Sequence, residues 1–182
     1  MSGFVESVRL LLTDSRVDPS VRDCMSLHDA CQGGHVEIVR LLISSPYIDL
    51  KQQGKKLLHY ATKNSMLHML RMLLEDGRID PAEEDSIIFT EVRCYGTMKL
   101  LIDDGRADPA ARNSRCLEAS TCCPNTLELV LKDGRADPTA NNNSLLKRSR
   151  PYPSYMELLR QDGRVKDNYE GCIVASHGST GR

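Results

Sequence analysis

The chain of 182 residues has no tryptophan, two phenylalanines and only 4% aromatic residues. A single large globular core usually draws on more aromatic volume, so the interior is expected to be filled with Leu, Ile, Val, Met and Ala, as stacked helices allow. An excess of charge of one sign is missing too. Lys and Arg number 24 against 25 Asp and Glu, which leaves no bulk basic field to hold nucleic acid or an anionic membrane surface. No apolar run approaches the ~20 residues that span a bilayer, and Glu6 and Arg9 interrupt the only early apolar stretch, so neither a span nor a signal peptide is expected. The five histidines stand in no triad or elbow pattern. No catalysis, small-molecule substrate or cofactor is therefore expected. Seven cysteines without regular spacing fit reduced thiols, and hence an intracellular protein of cytosol or nucleus, better than a disulfide framework.

What is present is a recurring ten-residue phrase, clearest at Leu100 to Pro109 and repeated at Met72 to Pro81 and Leu129 to Pro138. Looser copies run from Leu10 to Pro19, Leu41 to Leu50 and Leu158 to Asp167. An apolar run closes a helix, and Gly77, Gly105, Gly134 and Gly163 stand where a left-handed cap is cheapest without a Cβ. Pro19, Pro81, Pro109 and Pro138 then bar a return to helix and push the preceding aspartate into extended geometry.

The phrase divides residues 1–182 into a single repeat domain. It comprises a half repeat at 1–19, repeats at 20–50, 51–81, 82–109, 110–138 and 139–167, and a partial repeat with a frayed tail at 168–182. In the first full repeat the pattern predicts a first helix from Ser26, as N-cap, to Cys31, a turn at Gly33 and Gly34, and a second helix over Val36–Ile43. Leu27 and Leu41 are 14 residues apart, as are Leu58 and Met72. Ile88 and Leu100, Leu117 and Leu129, and Leu146 and Leu158 are 12 apart, which predicts clipped first helices in the last three repeats. Pro124, Pro151 and Pro153 near those turns support the clipping in two of them. A unit of about 30 residues buries too little alone, so its stability must come from stacking on neighbours.

Ser26-Leu27-His28-Asp29-Ala30-Cys31 and Gly34-His35-Val36-Glu37-Ile38-Val39-Arg40-Leu41-Leu42 resemble the ankyrin repeat, with its T-P-L-H-x-A and G-H-x-E-I-V-x-L-L-L patterns. Met25-Ser26 and Lys56-Leu57 replace the family's Thr-Pro, and the period falls below the usual ~33 residues. The resemblance implies an all-α, ankyrin-like helix-turn-helix solenoid with short hairpin or loop connections. It also implies a protein–protein interaction module that binds a partner protein through loop tips and first helices on a concave face. Just after each Asp-Pro position the residues change sharply, as tips that tailor a binding surface would. Arg22, Asp23, Lys51, Gln53, Lys55, Glu83, Glu84, Arg112, Asn113, Asn141 and Asn142 are the expected partner-binding residues. The alternatives are an adaptor that recruits an enzyme complex such as a ubiquitin ligase, or a decayed array without a partner. The apolar Val5, Val8, Leu11 and Leu12 of the first half repeat, with no obvious covering repeat, also suggest end-to-end self-association.

Other groups compete for a role. Cys24, His28, Cys31 and His35 have the ligand types of a zinc site, but each histidine also matches a structural position of the family. Cys122 and Cys123 are read as buried small hydrophobes. Lys147, Arg148 and Arg150 form a short basic cluster at a helix end. Arg16, Arg78, Arg106, Arg135 and Arg164 recur in frame, each two residues before an aspartate except Arg164, which suggests either a charge ladder or a ligand-binding row.

Overall fold

The hydrophobic pattern alternates paired helical stripes with Asp-Pro turns, and the helices of the protein fall on those stripes. A computed structural model describes residues 2–165. A first compact unit ends at Pro81 and holds α1 (Ser2–Thr13), α2 (Val21–Gln32), α3 (Val36–Ile43), α4 (Leu50–Lys63) and α5 (Leu67–Asp76). A second begins at Ala82, the boundary between two repeats. It holds α6 (Glu83–Ser86), α7 (Tyr95–Asp104), α8 (Ala111–Ser114), α9 (Cys116–Ala119), α10 (Pro124–Asp133), α11 (Ala140–Ser149) and α12 (Pro153–Gln161). Among the described residues no strand forms.

In the first unit the second helices α1, α3 and α5 pack in series, as do the first helices α2 and α4. In the second unit α7, α10 and α12 do the same, while α6, α8 and α11 form a row of turns along another edge. One position buried in every second helix from α3 onward is that of Leu42, Leu73, Leu101, Val130 and Leu159. This lies one residue beyond the anchors read from the sequence, of which Leu41, Leu100, Leu129 and Leu158 are only half-buried. Burying such a side chain contributes about 1.5–3 kcal/mol. In α1 the matching Leu11 is 56% exposed, because α1 packs chiefly on α3.

The second helix of the first full repeat spans Val36–Ile43, as its pattern predicts. Ser26 is not an N-cap: it lies within α2, and its hydroxyl donates to the Pro19 carbonyl at 3.2 Å. Gly77, Gly105 and Gly134 close their helices with φ of 75°, 75° and 82°. Gly163 does not, since α12 ends at Asp162 in extended geometry (φ −76°, ψ 116°). Pro124 and Pro153 open α10 and α12, where a helix has no use for the missing N–H. The clipping of first helices is visible. Ile87–Glu91 and Ser120–Cys122 are 3-10 turns, and the right-handed part of α11 covers 144–149, against 25–32 in α2.

The part that the pattern does not foretell is at the tips. Arg22, Asp23 and Cys24 have φ of 55–58°, and so in turn do Glu84, Asp85 and Ser86 (50–58°) and Arg112, Asn113 and Ser114 (53–58°). Each trio is one turn of left-handed helix built from residues with a Cβ, at a cost of about 1–2 kcal/mol per residue. Asn141 and Asn143 share the geometry. Lys51 and Gln53 do not, because Asp49 caps α4 and the second repeat enters its first helix directly.

Candidate functional site

The turns that carry the tips are held by polar contacts within the chain, although Asn143 Oδ1 at the last tip is buried without a hydrogen-bond partner among the described residues. The recurrent arginine does not pair with the aspartate two residues after it; it folds back onto the one two residues before it. Arg16 meets Asp14 at 2.6 Å, Arg78 meets Asp76 at 2.6 Å, Arg106 meets Asp104 at 2.7 Å, Arg135 meets Asp133 at 2.9 Å and Arg164 meets Asp162 at 2.6 Å. This upstream pairing also removes the apparent exception of Arg164. Hydrogen bonds from the guanidinium hold the carboxyls of Asp14, Asp76 and Asp162 below the usual carboxylate range. The pairing commits the arginines to the turns that carry the tips.

The downstream aspartates shape the next turn. Asp18, Asp108 and Asp137 accept from the backbone N–H of Ser20, Ala110 and Thr139 at 2.8–2.9 Å, as side chains of this type do in tight turns. Asp49 does the same for Lys51 N–H at 2.9 Å. Two left-handed serines complete the frame: the Ser86 hydroxyl accepts from Asp108 N–H at 2.9 Å, and that of Ser114 from Asp137 N–H at 2.8 Å. Both serines are buried. Sequence reasoning missed them, although Ser at the same frame position 28 residues apart was a legible signal.

The expected binding residues fall into two groups, one in each unit. In the first unit Arg22 and Lys51 are exposed and Lys55 is half-buried on α4. Asp23 is exposed but engaged: it accepts from Gln53 Nε2 at 2.7 Å and Lys56 Nζ at 3.0 Å. Lys56, then Gln53, draw its carboxyl below the ordinary range. Gln53 is only 2% exposed and its amide oxygen Oε1 meets His28 Nε2 at 3.2 Å, so it holds the tip of its neighbour from beneath. Gly54, next to it, is also buried, and an added Cβ would lie 2.6 Å from Ile79 Cγ1.

In the second unit Glu83, Glu84, Arg112, Asn113 and Asn141 are exposed. Arg112 donates to the Glu84 carbonyl at 2.8 Å, and Asn141 Nδ2 to the Asn113 carbonyl at 3.0 Å. The tips thus form rungs between successive repeats, while Glu83 and the carboxamide of Asn113 face outward. Asn142 belongs to α11, and its side chain lies outside the described residues.

The competing groups are placed as follows. Cys24 and Cys31 are buried, and among the described residues no three His, Cys, Asp or Glu side chains gather closely enough to hold a metal ion. Burial pushes the Cys31 thiol up to about 11 and the Cys116 thiol up to about 12. Cys123 is half-buried beside Thr126 at 2.7 Å; the side chain of Cys122 lies outside the described residues. Of Val5, Val8, Leu11 and Leu12, on which the expectation of end-to-end association rests, Leu11 is exposed and the other three are half-buried; Phe4, Leu10, Val21 and Met25 of the same unit are exposed too. No described helix is long and apolar enough to cross a membrane.

The arrangement offers outward polar groups on a fixed frame. Residues 1–85 match the family model described as ankyrin repeats, in three copies. Comparison with curated proteins and with solved structures returns no match.

Proposed function

We propose, from the premise that residues 1–85 are ankyrin repeats, that the protein is a binding module whose exposed tips contact a partner protein. Ankyrin repeats generally mediate protein–protein interaction and are typically non-enzymatic scaffolds. The observation that carries the reading is the contrast between frame and tip. The Arg–Asp pairs and aspartate turns recur, while the outward groups differ from one repeat to the next.

In the first unit the tip presents Arg22 and Lys51, with Lys55 behind them; in the second it presents Glu83, Glu84 and Asn113, with Arg112, Asn141 and Asn142 along the same row. Asp23 and Gln53 support this surface. Interface energy concentrates in a few residues, so the test removes several together. Affinity capture with the full chain is compared with the quadruple variant Arg22→Ala, Lys51→Ala, Glu83→Ala and Asn113→Ala. Loss of specific partners at unchanged thermal stability is the expected result. Identical partner sets overturn the reading. Capture of an enzyme complex that depends on the tips favours the adaptor role, and capture of nothing favours a decayed array.

A further inference from the structure

A second feature lies away from the tips, where α11 gives way to α12. Pro151 ends the helical path, and the Tyr152 N–H donates to the Ser149 carbonyl at 2.9 Å, so the chain turns sharply. Tyr155 is fixed by its hydroxyl, which donates to the Thr121 carbonyl at 3.0 Å. Its ring meets that of Tyr152 edge to face, with centroids 5.7 Å apart and planes at 83°. Tyr152 is itself 57% exposed, so a rigid aromatic corner faces solvent. Thr121, Arg148, Ser149, Pro151, Tyr152 and Tyr155 line a solvent-open cavity of about 440 Å³, within the range of small-ligand sites.

Two features of this cavity lack a structural use. Ser149 is 1% exposed, yet its Oγ has no hydrogen-bond partner among the described residues. A buried hydroxyl left so costs free energy that folding alone does not recover. Arg148 gives one nitrogen to Glu118 at 3.3 Å, while a guanidinium has five N–H donors in a planar fork. A donor hydroxyl, a guanidinium and an aromatic wall together suit an oxyanion attached to an apolar body.

We propose that this cavity is a separate binding site that takes an oxyanion-bearing side chain, carboxylate or phosphate, of a peptide segment whose apolar neighbour packs on Tyr152. Arg148 and Ser149 donate to the oxyanion. The site stands independently of the tips, since it uses none of their residues.

The test uses the full chain labelled with nitrogen-15 and three blocked pentapeptides of sequence Ala-Pro-X-Pro-Ala, where X is glutamate, glutamine or phosphoserine. The expected result is that the glutamate or phosphoserine peptide shifts the amides of 148–155, with the glutamine peptide at least tenfold weaker. Binding of phosphoserine alone supports the site and assigns phosphate as the source of the oxyanion. Arg148→Gln is expected to weaken binding at least tenfold, and Tyr152→Ala several-fold. Ser149→Ala separates the two meanings of the orphan hydroxyl. The expected result is weaker binding at equal or higher Tm; unchanged affinity with higher Tm overturns its role. The site is overturned if no oxyanion peptide shifts these amides at millimolar concentration, or if glutamine binds as well as glutamate.

Discussion

The guanidinium of Arg164 clasps Asp162, two residues upstream, at 2.6 Å and at the same time reaches the carbonyls of Leu131, Gly134 and Ala136 at 2.7–3.0 Å. One side chain therefore closes its own turn and fastens it to the preceding repeat. Arg164→Met is expected to cost about 1.5–3 kcal/mol, as charge-assisted hydrogen bonds do, and Arg164→Lys to recover little because an ammonium lacks the planar fork. Arg16, whose side chain is 87% exposed, has no such reach, and Arg16→Met is expected to stay within about 0.5 kcal/mol. Urea unfolding of the three variants checks this; equal losses for Arg164→Met and Arg16→Met would sink it.

Acid should loosen the same turns. The carboxyls of Asp76 and Asp162 are held below their ordinary range by Arg78 and Arg164. A depressed folded pKa contributes stability that is present above the unfolded value, about 3.9, and is lost as pH falls through the folded one. Tm is expected to drop below about pH 4, and Asp162→Asn to lower Tm at neutral pH while flattening that drop. A variant with the same acid slope as the parent would show that the pair is not its source.

Ser86 and Ser114 should matter out of proportion to their size. Ser86→Ala leaves Asp108 N–H without its acceptor, and Ser114→Ala does the same to Asp137 N–H. Each is expected to cost about 1–3 kcal/mol and to speed hydrogen exchange at that amide. Unaltered exchange would mean the amides find another partner.

Two glycine exchanges should act in opposite directions. Asp85 is exposed and left-handed, with φ of 58°. Asp85→Gly relieves about 1–2 kcal/mol of backbone strain against about 0.5–1 kcal/mol of added unfolded-state entropy, so thermal unfolding should show a small gain in stability. A loss would argue against a left-handed turn there.

Gly54→Ala should be destabilising by about 1–3 kcal/mol, the range for an overpacked core, because the new methyl would lie 2.6 Å from Ile79 Cγ1. Ile79→Ala in the same chain should relieve part of the clash, which a double-mutant cycle in urea measures. No coupling between the two would reject this contact as the reason for the glycine.

The parts of this fold that were legible in the sequence are those in which one residue type has one physical use. Gly77, Gly105 and Gly134 marked helix exits, and the apolar stripe fixed α3 at Val36–Ile43. The tips were located but not understood. Nothing in Arg22-Asp23-Cys24 or Arg112-Asn113-Ser114 favours a left-handed turn strongly enough to announce it; tertiary ties such as Ser114 to Asp137 hold it in place. The direction of the arginine pairing was also hidden, because an aspartate stands two residues away on both sides of Arg78, Arg106 and Arg135 and only the folded turn selects the upstream one. Gln53 reads as an ordinary polar tip, and its burial follows from the helix that α4 forms where other repeats turn left.

The left-handed trios carry a stereochemical consequence. At Glu84-Asp85-Ser86 and Arg112-Asn113-Ser114 the backbone occupies the mirror image of the well that L-residues prefer, the natural well of their D-enantiomers. A synthetic chain with D-aspartate at position 85 would keep its carboxylate and composition and lose only the steric penalty. Inverting a right-handed neighbour in α7 would break that helix instead. Chirality, changed one centre at a time, would trace this edge of the protein without altering a single side chain.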